Sequence, residues 1–361
     1  MAIYHLSAKI VSRHDGRSVV AAAAYRAGQR LEEEATGLTF DYTHKQGVEH
    51  TEIVAPQGAP QWMHDRQSLW NAVEQAERRR DAQLAREIEV GLPVELSAGA
   101  QVTLLRDFVQ REFVSNGMIA DIALHRNDAD NPHAHILLTL RAIHENGFGR
   151  KERSWNERSK LMAWRLGWER AANEHLARAG LTIRIDCRTL EAQGIDLTPG
   201  RKIGVSLDRQ RAGALPDRIA ERVAEQQRIA EENGHRIQAN PRIALKALKQ
   251  SHAIFTGHDI GKFLSTRTLG AGQFQATYLK VMASPDLRRE GFDQGDERYT
   301  LREPMELTVQ DIDTLQQQAA ERWQRKHSGF EKTAGSSAEL DCRHDLTQTH
   351  SLDTPDDELE L

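Results

Sequence analysis

Three histidines carry the first chemical signal in this sequence. In the block "LHRNDADNPHAHILLTLR", His133 and His135 stand two apart within a run of branched apolar residues. Side chains alternate between the faces of an extended strand. His133, His135, Leu137 and Thr139 therefore share one face, and Ala134, Ile136, Leu138 and Leu140 share the other. The preceding segment "MIADIALHR" divides in the same way, with Asp121, Ala123 and His125 opposed to Ile122 and Leu124. Seven residues separate His125 from His133, enough for a hairpin loop. Antiparallel pairing then sets His125 beside the His-x-His pair. Three neutral imidazoles on one patch of sheet suit a first-row divalent metal and leave coordination positions open. A single histidine in a chain with sixteen of them is more often an ordinary core or surface residue. Three on facing strands favour the metal, although such sets also serve hydrolases that act on small molecules.

Two further groups could complete a site. Metal-bound imidazoles are commonly oriented by a carboxylate. The stretch "AREIEV" offers Glu87 and Glu89 on one face of a strand, with Ile88 and Val90 on the other; solvent-facing carboxylates are the alternative. The stretch "VVAAAAYRAGQR" sets Tyr25 in a helix of very small residues, which another surface can approach closely. A tyrosine oxygen can attack phosphorus when it is positioned and deprotonated, but packing is the commoner use of a helical tyrosine.

These groups need elements to hold them. The opening "IYHLSAKIV" alternates as a strand. "SVVAAAAYRAGQRLEEE" reads as a helix with Ser18 as N-cap, residues 36–54 as a hairpin, and about 64–85 as a charged amphipathic helix. "AREIEVGLPVEL" is a strand ending at Pro93. A helix follows, with its N-cap at Ser97 and its stop at Gly117. Next come the two histidine strands, a helix stopped by Gly180, and "LTIRIDCR" as a short strand. The elements do not repeat as βα units. The expected class is α+β: an antiparallel sheet with helices packed on one face. Beyond Pro199 the character changes. The expectation is a charged helical linker over 206–239, a small all-helical domain over 240–325, and an acidic, disordered tail over 326–361.

Composition sets few limits. Of 361 residues, 39% are hydrophobic and 28% charged, and two cysteines far apart argue against a disulfide framework or thiolate metal site. No apolar run reaches membrane-spanning length and no leader is visible, so the expected location is the cytoplasm. The net charge of −5 is an average. From Ser337 onward there are eight acids against one arginine, leaving 47 basic and 45 acidic residues elsewhere. Such a balance neither excludes nor supports a nucleic-acid partner, because local patches set the field.

The blocks "MAIYHLSAKIVSRHDGRSVVAAAAYRAG", "AREIEVGLPVEL", "LHRNDADNPHAHILLTLR" and "RIDCRTLEAQGIDLTPG" together, in this order and spacing, resemble the plasmid relaxases of the MobA/MobL (MobQ) class, within the histidine–hydrophobic–histidine (HUH) endonuclease superfamily. The resemblance spans about residues 1–205, a relaxase domain. It continues more weakly through "NPRIALKALKQSHAIFTGHDIGKFL", which is similar to the region after the relaxase domain in Ti-type TraA proteins. It implies Tyr25 as nucleophile, His125, His133 and His135 as ligands of a divalent metal, and Glu87 as the supporting carboxylate, with Glu89 second. Mg or Mn are the first metals expected, with Zn, Co and Ni compatible. It implies strand transfer at a plasmid origin of transfer through a 5′-phosphotyrosyl link. The implied partners are single-stranded DNA, relaxosome accessory proteins and a type IV secretion coupling protein, with passage to a recipient cell alongside the DNA. Arg13, Arg17, Arg26 and Lys45 are candidate DNA contacts, and Trp155, Trp164 and Trp168 are either stacking platforms or core. The departure from TraA is the lack of any G-x-x-x-x-G-K-[ST] phosphate loop. The rival within this reading is an accessory protein that binds DNA without cutting it.

Overall fold

The alternation of the two histidine strands becomes the two faces of one sheet. A computed structural model describes residues 4–302 apart from 17, 146, 201–216, 294 and 295. Five strands form an antiparallel sheet: β1 (Leu6–Ser12), β4 (Val48–Val54), β5 (Gln83–Gly91), β6 (Ala120–His125) and β7 (His133–Leu138), in the spatial order β1-β5-β7-β6-β4. Ile88, Val90, Ile122, Leu124, Ala134, Ile136 and Leu138 fill one face. That face is covered by α3 (Ala98–Glu112) and α4 (Arg158–Arg178), through Leu104, Phe108, Trp164 and Trp168 among others. Ser97 caps α3 by accepting from the Ala100 amide, and Gly117, at φ +92°, closes the turn that follows.

The opposite face is divided. At one end Val11, Ala85 and Leu137 pack under α1 (Val19–Ala27) and α2 (Arg66–Ala76). At the other end stand the histidines. The α+β class and the antiparallel sheet are as the sequence implies, but helices on a single face describes only α3 and α4. The alanines of α1 are the reason. With no bulk beyond Cβ at Ala23 and Ala24, both buried, this helix lies close against a face that also has to carry polar groups.

Several segments differ from the sequence reading. The first helix stops at Ala27, because Gly28 takes a left-handed φ of +62°. The chain then forms a hairpin of β2 (Arg30–Glu33) with β3 (Leu38–Asp41), and β4 leaves to pair with β6, so residues 36–54 are not themselves a hairpin. α2 ends at Ala76, well short of 85, because β5 starts at Gln83. Residues 181–187 make no strand. A short hairpin, β8 (Arg141–His144) with β9 (Gly147–Lys151), precedes α4.

Beyond residues 201–216, which lie outside the described residues, a second core forms around Leu245, Leu248, Phe255, Ile260, Phe263, Leu264 and Tyr299. It is built by α5 (Asp217–Ala239), α6 (Arg242–Ser251), β10 (Phe255–Thr256), α7 (Gly257–Ser265), α8 (Gly270–Met282), β11 (Leu287–Asp293) and β12 (Asp296–Leu301). The expectation of an all-helical domain is corrected here. Three strands close it, in the order β10-β12-β11. They were hidden because polar residues outnumber apolar ones in "LRREGFD" and "DERYTL". The charged segment before it is helical as expected in α5, but α5 packs on α8 and buries Asn233, which exchanges two hydrogen bonds with the Thr198 backbone. The start of the expected linker and the whole acidic tail fall outside the described residues.

One buried ion pair joins α2 to the histidine face. Asp121 accepts from Arg66 Nε at 2.8 Å and Nη2 at 2.7 Å, and from Trp70 Nε1 at 2.8 Å. Arg66 Nη1 also donates to Gln29 just past α1, at 2.8 Å. Removing one charge of such a pair leaves the other buried without a counter-ion, a loss of about 3–5 kcal/mol. Asp121→Asn is therefore expected to lower the unfolding free energy by that order, seen as a lower urea midpoint with an unchanged m-value in circular dichroism.

Candidate active site

The hairpin of β6 and β7 sets His125 directly across from His133, with Ala123 across from His135. The three rings converge, with centroids 5.6 Å apart for His125–His133, 4.8 Å for His125–His135 and 5.3 Å for His133–His135. One nitrogen from each lies within 4.8 Å of the others.

Neighbouring acceptors fix the tautomers. His135 Nδ1 is 2.8 Å from Glu87 Oε1, His133 Nδ1 is 2.9 Å from the Asn131 carbonyl, and His125 Nε2 is 2.6 Å from the Arg26 carbonyl. A carboxylate or carbonyl only accepts, so each of these ring nitrogens carries the hydrogen. The lone pairs are left on Nε2 of His133 and His135 and on Nδ1 of His125. Burial pushes His125 down to about 4, and the nearby Lys45 charge adds to it. That ring is therefore neutral near pH 7. Three imidazoles, each held from behind by an acceptor, form the kind of donor set a divalent metal requires.

Glu87 is the carboxylate that reaches the triad. Burial alone would raise its pKa. Hydrogen bonds from His135 and Arg26, with the Arg26 charge, outweigh burial and hold it down at about 2. Arg26 meets it at 2.5 Å through Nη2 and at 2.8 Å through Nε. Glu89 faces Lys9 at 3.4 Å and His5 at 3.3 Å instead.

Tyr25 borders this patch. Ser18 caps α1 by accepting from the Ala21 amide, and the helix brings its last turn over the histidine end of the sheet. The Arg26 carbonyl that meets His125 is one residue beyond Tyr25. The tyrosine ring is half exposed. Tyr42 lies edge-on to it, 5.2 Å between centroids. The Lys45 ammonium stands 3.8 Å from the ring centre and donates to the Tyr25 carbonyl at 2.8 Å. Burial, with the neighbouring Arg26 charge, brings Lys45 down to about 8. Gly28 makes this packing feasible, because a Cβ there would stand 3.3 Å from Val48 Cγ2 and close to the Tyr42 and Lys45 carbonyls.

The other expected residues are placed as follows. Arg26 and Lys45 belong to the site, but as supports: one is clamped on Glu87, the other on Tyr25. The sequence reading missed these roles, and the available signal was a buried strand carboxylate in need of a cation. Arg13 stands apart, with its guanidinium committed to the Glu74 carboxylate at 2.7 Å and to the backbone carbonyls of Glu74, Glu77 and Arg79. Arg17 lies outside the described residues. Trp155, Trp164 and Trp168 are buried core. Tyr4 donates to the Arg165 carbonyl, and burial pushes it up to about 12, which makes it a poor nucleophile.

A model of the MobA/MobL family matches residues 17–212, more than half of the chain. The chain belongs to the MobA/MobL family. The probable conjugal transfer protein TraA of Sinorhizobium fredii is 34% identical over 356 residues, covering 89% of this chain and 32% of that protein. The mobilization protein MobL of Acidithiobacillus ferridurans is 37% identical over 238 residues, covering 56% of this chain and 62% of that one. A solved structure described as "Molecular Basis of Vancomycin Resistance Transfer in Staphylococcus aureus" is 34% identical, with a TM-score of 0.49, covering 52% of this chain and all of that one. This MobA/MobL chain thus spans about a third of the length of that TraA relative. Among its described residues no helix is long and apolar enough to cross a membrane.

Glu87→Gln tests the architecture of the site. Loss of the charged acceptor behind His135 is expected to weaken Mn2+ binding about 10–100-fold in calorimetric titration. The folded-state pKa of Glu87 is depressed from 4.5 to about 2. Its stabilisation is therefore full above about pH 4.5 and lost as the pH falls toward 2. The gap in thermal midpoint between wild type and Glu87→Gln should accordingly be widest at neutral pH and narrow below pH 4.5.

Proposed function

We propose that this chain is a DNA relaxase: a metal-dependent, strand-specific transesterase acting at a plasmid origin of transfer. The observation that carries this reading is that the last turn of α1, which bears Tyr25, rests on the histidine triad through the next residue's carbonyl, Arg26, 2.6 Å from His125. The names of its relatives, conjugal transfer and mobilization proteins, accord with it.

In this reading His125, His133 and His135 would hold a divalent metal, which when bound would supply a Lewis acid for the scissile phosphate. Imidazole donors accept Mn, Co, Ni and Zn, so availability selects among them. Glu87 fixes the His135 ring and so keeps its Nε2 aimed. Lys45 and Tyr42 hold the phenol ring in place, and the Lys45 cation favours negative charge as it develops on that phenol. The Tyr25 oxygen attacks phosphorus as its proton departs, the P–O3′ bond breaks, and the 3′ oxygen gains a proton. One ester replaces another, so the bond energy is retained in the 5′-phosphotyrosyl link and no ATP is consumed in cutting. A free 3′-hydroxyl reverses the step and rejoins the strand. The target must be single-stranded for its phosphate to reach the sheet face. Relaxosome accessory proteins and a secretion coupling protein complete the proposed setting, cytoplasmic first and then with the DNA in a recipient.

Tyr25→Phe is expected to abolish the covalent protein–DNA adduct, seen as a mass or gel shift after incubation with origin-containing oligonucleotide and Mn2+, while leaving oligonucleotide binding within a few-fold of wild type. A chelator should stop the wild-type reaction. An adduct persisting in Tyr25→Phe would assign the nucleophile to another residue. Binding without an adduct in wild type at any divalent metal would make the chain a non-cleaving accessory protein.

A further inference from the structure

The second core has a use that the nicking chemistry does not require. Its elements run helix, strand, helix, helix, strand, strand, and the last strand lies between the other two. That is a helix-turn-helix closed by a β-hairpin wing. α7 and α8 are joined by four residues, Thr266–Leu269, and α8 opens on Gly270 at φ +70°. A turn of this length, with glycine at its exit, is the signature of a helix pair whose second member enters a DNA major groove.

The faces of α8 are already divided for that purpose. Phe274, Tyr278 and Val281 turn into the core. Gln273, Thr277 and Lys280 form one flank and are tied to α5: Gln273 donates to the Glu231 carbonyl at 2.8 Å, and Thr277 accepts from Gln238 at 2.9 Å. The remaining face carries Ala271, Gly272, Gln275, Ala276 and Leu279, all exposed. Nothing lies within 4 Å of a Cβ built on Gly272. Small residues on the first turns of a helix let its backbone approach base edges, and a glutamine amide matches the donor–acceptor pair of adenine.

The wing supplies charge. Arg288 and Arg289 on β11 have side chains 62% and 52% exposed, each in a surface pair with Glu290 or Glu297. Such pairs are worth little and yield readily to phosphate. Residues 240–302 hold ten Lys and Arg against six Asp and Glu, whereas the whole chain stands at −5.

We propose that the module of α6 to β12 binds duplex DNA, with the outer face of α8 in the major groove and the β11–β12 wing on the flanking phosphates. The partner is B-form duplex, distinct from the single strand assigned to the histidine face, and the proposal does not depend on cleavage at Tyr25.

The test uses the full chain, by fluorescence anisotropy with a labelled 24-base-pair duplex and, separately, a labelled single strand of the same sequence. Gln275→Glu combined with Ala276→Glu, at exposed positions, should weaken duplex binding at least tenfold. Arg288→Ala combined with Arg289→Ala should weaken it and lower the slope of log K against log salt by about 2, one unit per lost phosphate contact. In both variants the adduct yield on a short single-stranded oligonucleotide should match wild type, which separates failure of the module from failure of the nicking reading, and unchanged circular-dichroism melting checks the fold. Duplex affinity unchanged in both variants would overturn the proposal, as would equal losses on duplex and single strand. A wild type that prefers no duplex over the single strand would do the same. Unchanged DNA binding together with lost capture of a protein partner would reassign the face to that partner.

Discussion

A single carboxylate joins the two halves of the site. Glu87 stands on β5, the second strand of the sheet, and takes Arg26 from the first helix on one side and His135 from β7 on the other. A carboxylate buried to this degree is costly alone, and would be driven to its neutral form. Here two charge-assisted partners keep it ionised. The helix that carries Tyr25 and the strands that carry the three histidines are therefore held by one electrostatic node, backed by the His125 contact to the Arg26 carbonyl.

That node depends on a division of labour between the two faces of the sheet. Branched residues on one face, packed under α3 and α4, supply the apolar burial that stabilises the domain. The other face is then released from that duty and can carry imidazoles, carboxylates and the Asp121–Arg66 pair. α1 can cross such a face only because its inward residues are alanines. A bulkier helix would stand off and lose both the Arg26–Glu87 pair and the backbone contact to His125.

Much of this was legible in the sequence because it rests on local rules. Period-two alternation announced which face held His125, His133 and His135, and a seven-residue loop announced their antiparallel pairing. Ser18 and Ser97 marked helix starts and Gly180 a stop. What failed was non-local. Whether β4 pairs with β3 or with β6 is decided by the whole sheet, so the 36–54 hairpin was misread. The strands of the second core carry too few apolar residues to show a period, since only a few of them, such as Phe255, Tyr299 and Leu301, reach the interior. The parts played by Arg26 and Lys45 were also out of reach. A surface cation and a clamped one look identical in one dimension, and only the fold shows which carboxylate or ring stands opposite.

The arrangement around Gly28 has a further consequence. The left-handed residue that ends the first helix is also the place where the Tyr42–Lys45 segment comes to rest on it. Helix, glycine and segment therefore form an inseparable cassette. Anyone grafting Tyr25 onto another relative would have to transplant residues 18–45 as a block, together with the acidic position on the strand beneath, since a shorter insert would carry the phenol without the scaffold that holds it.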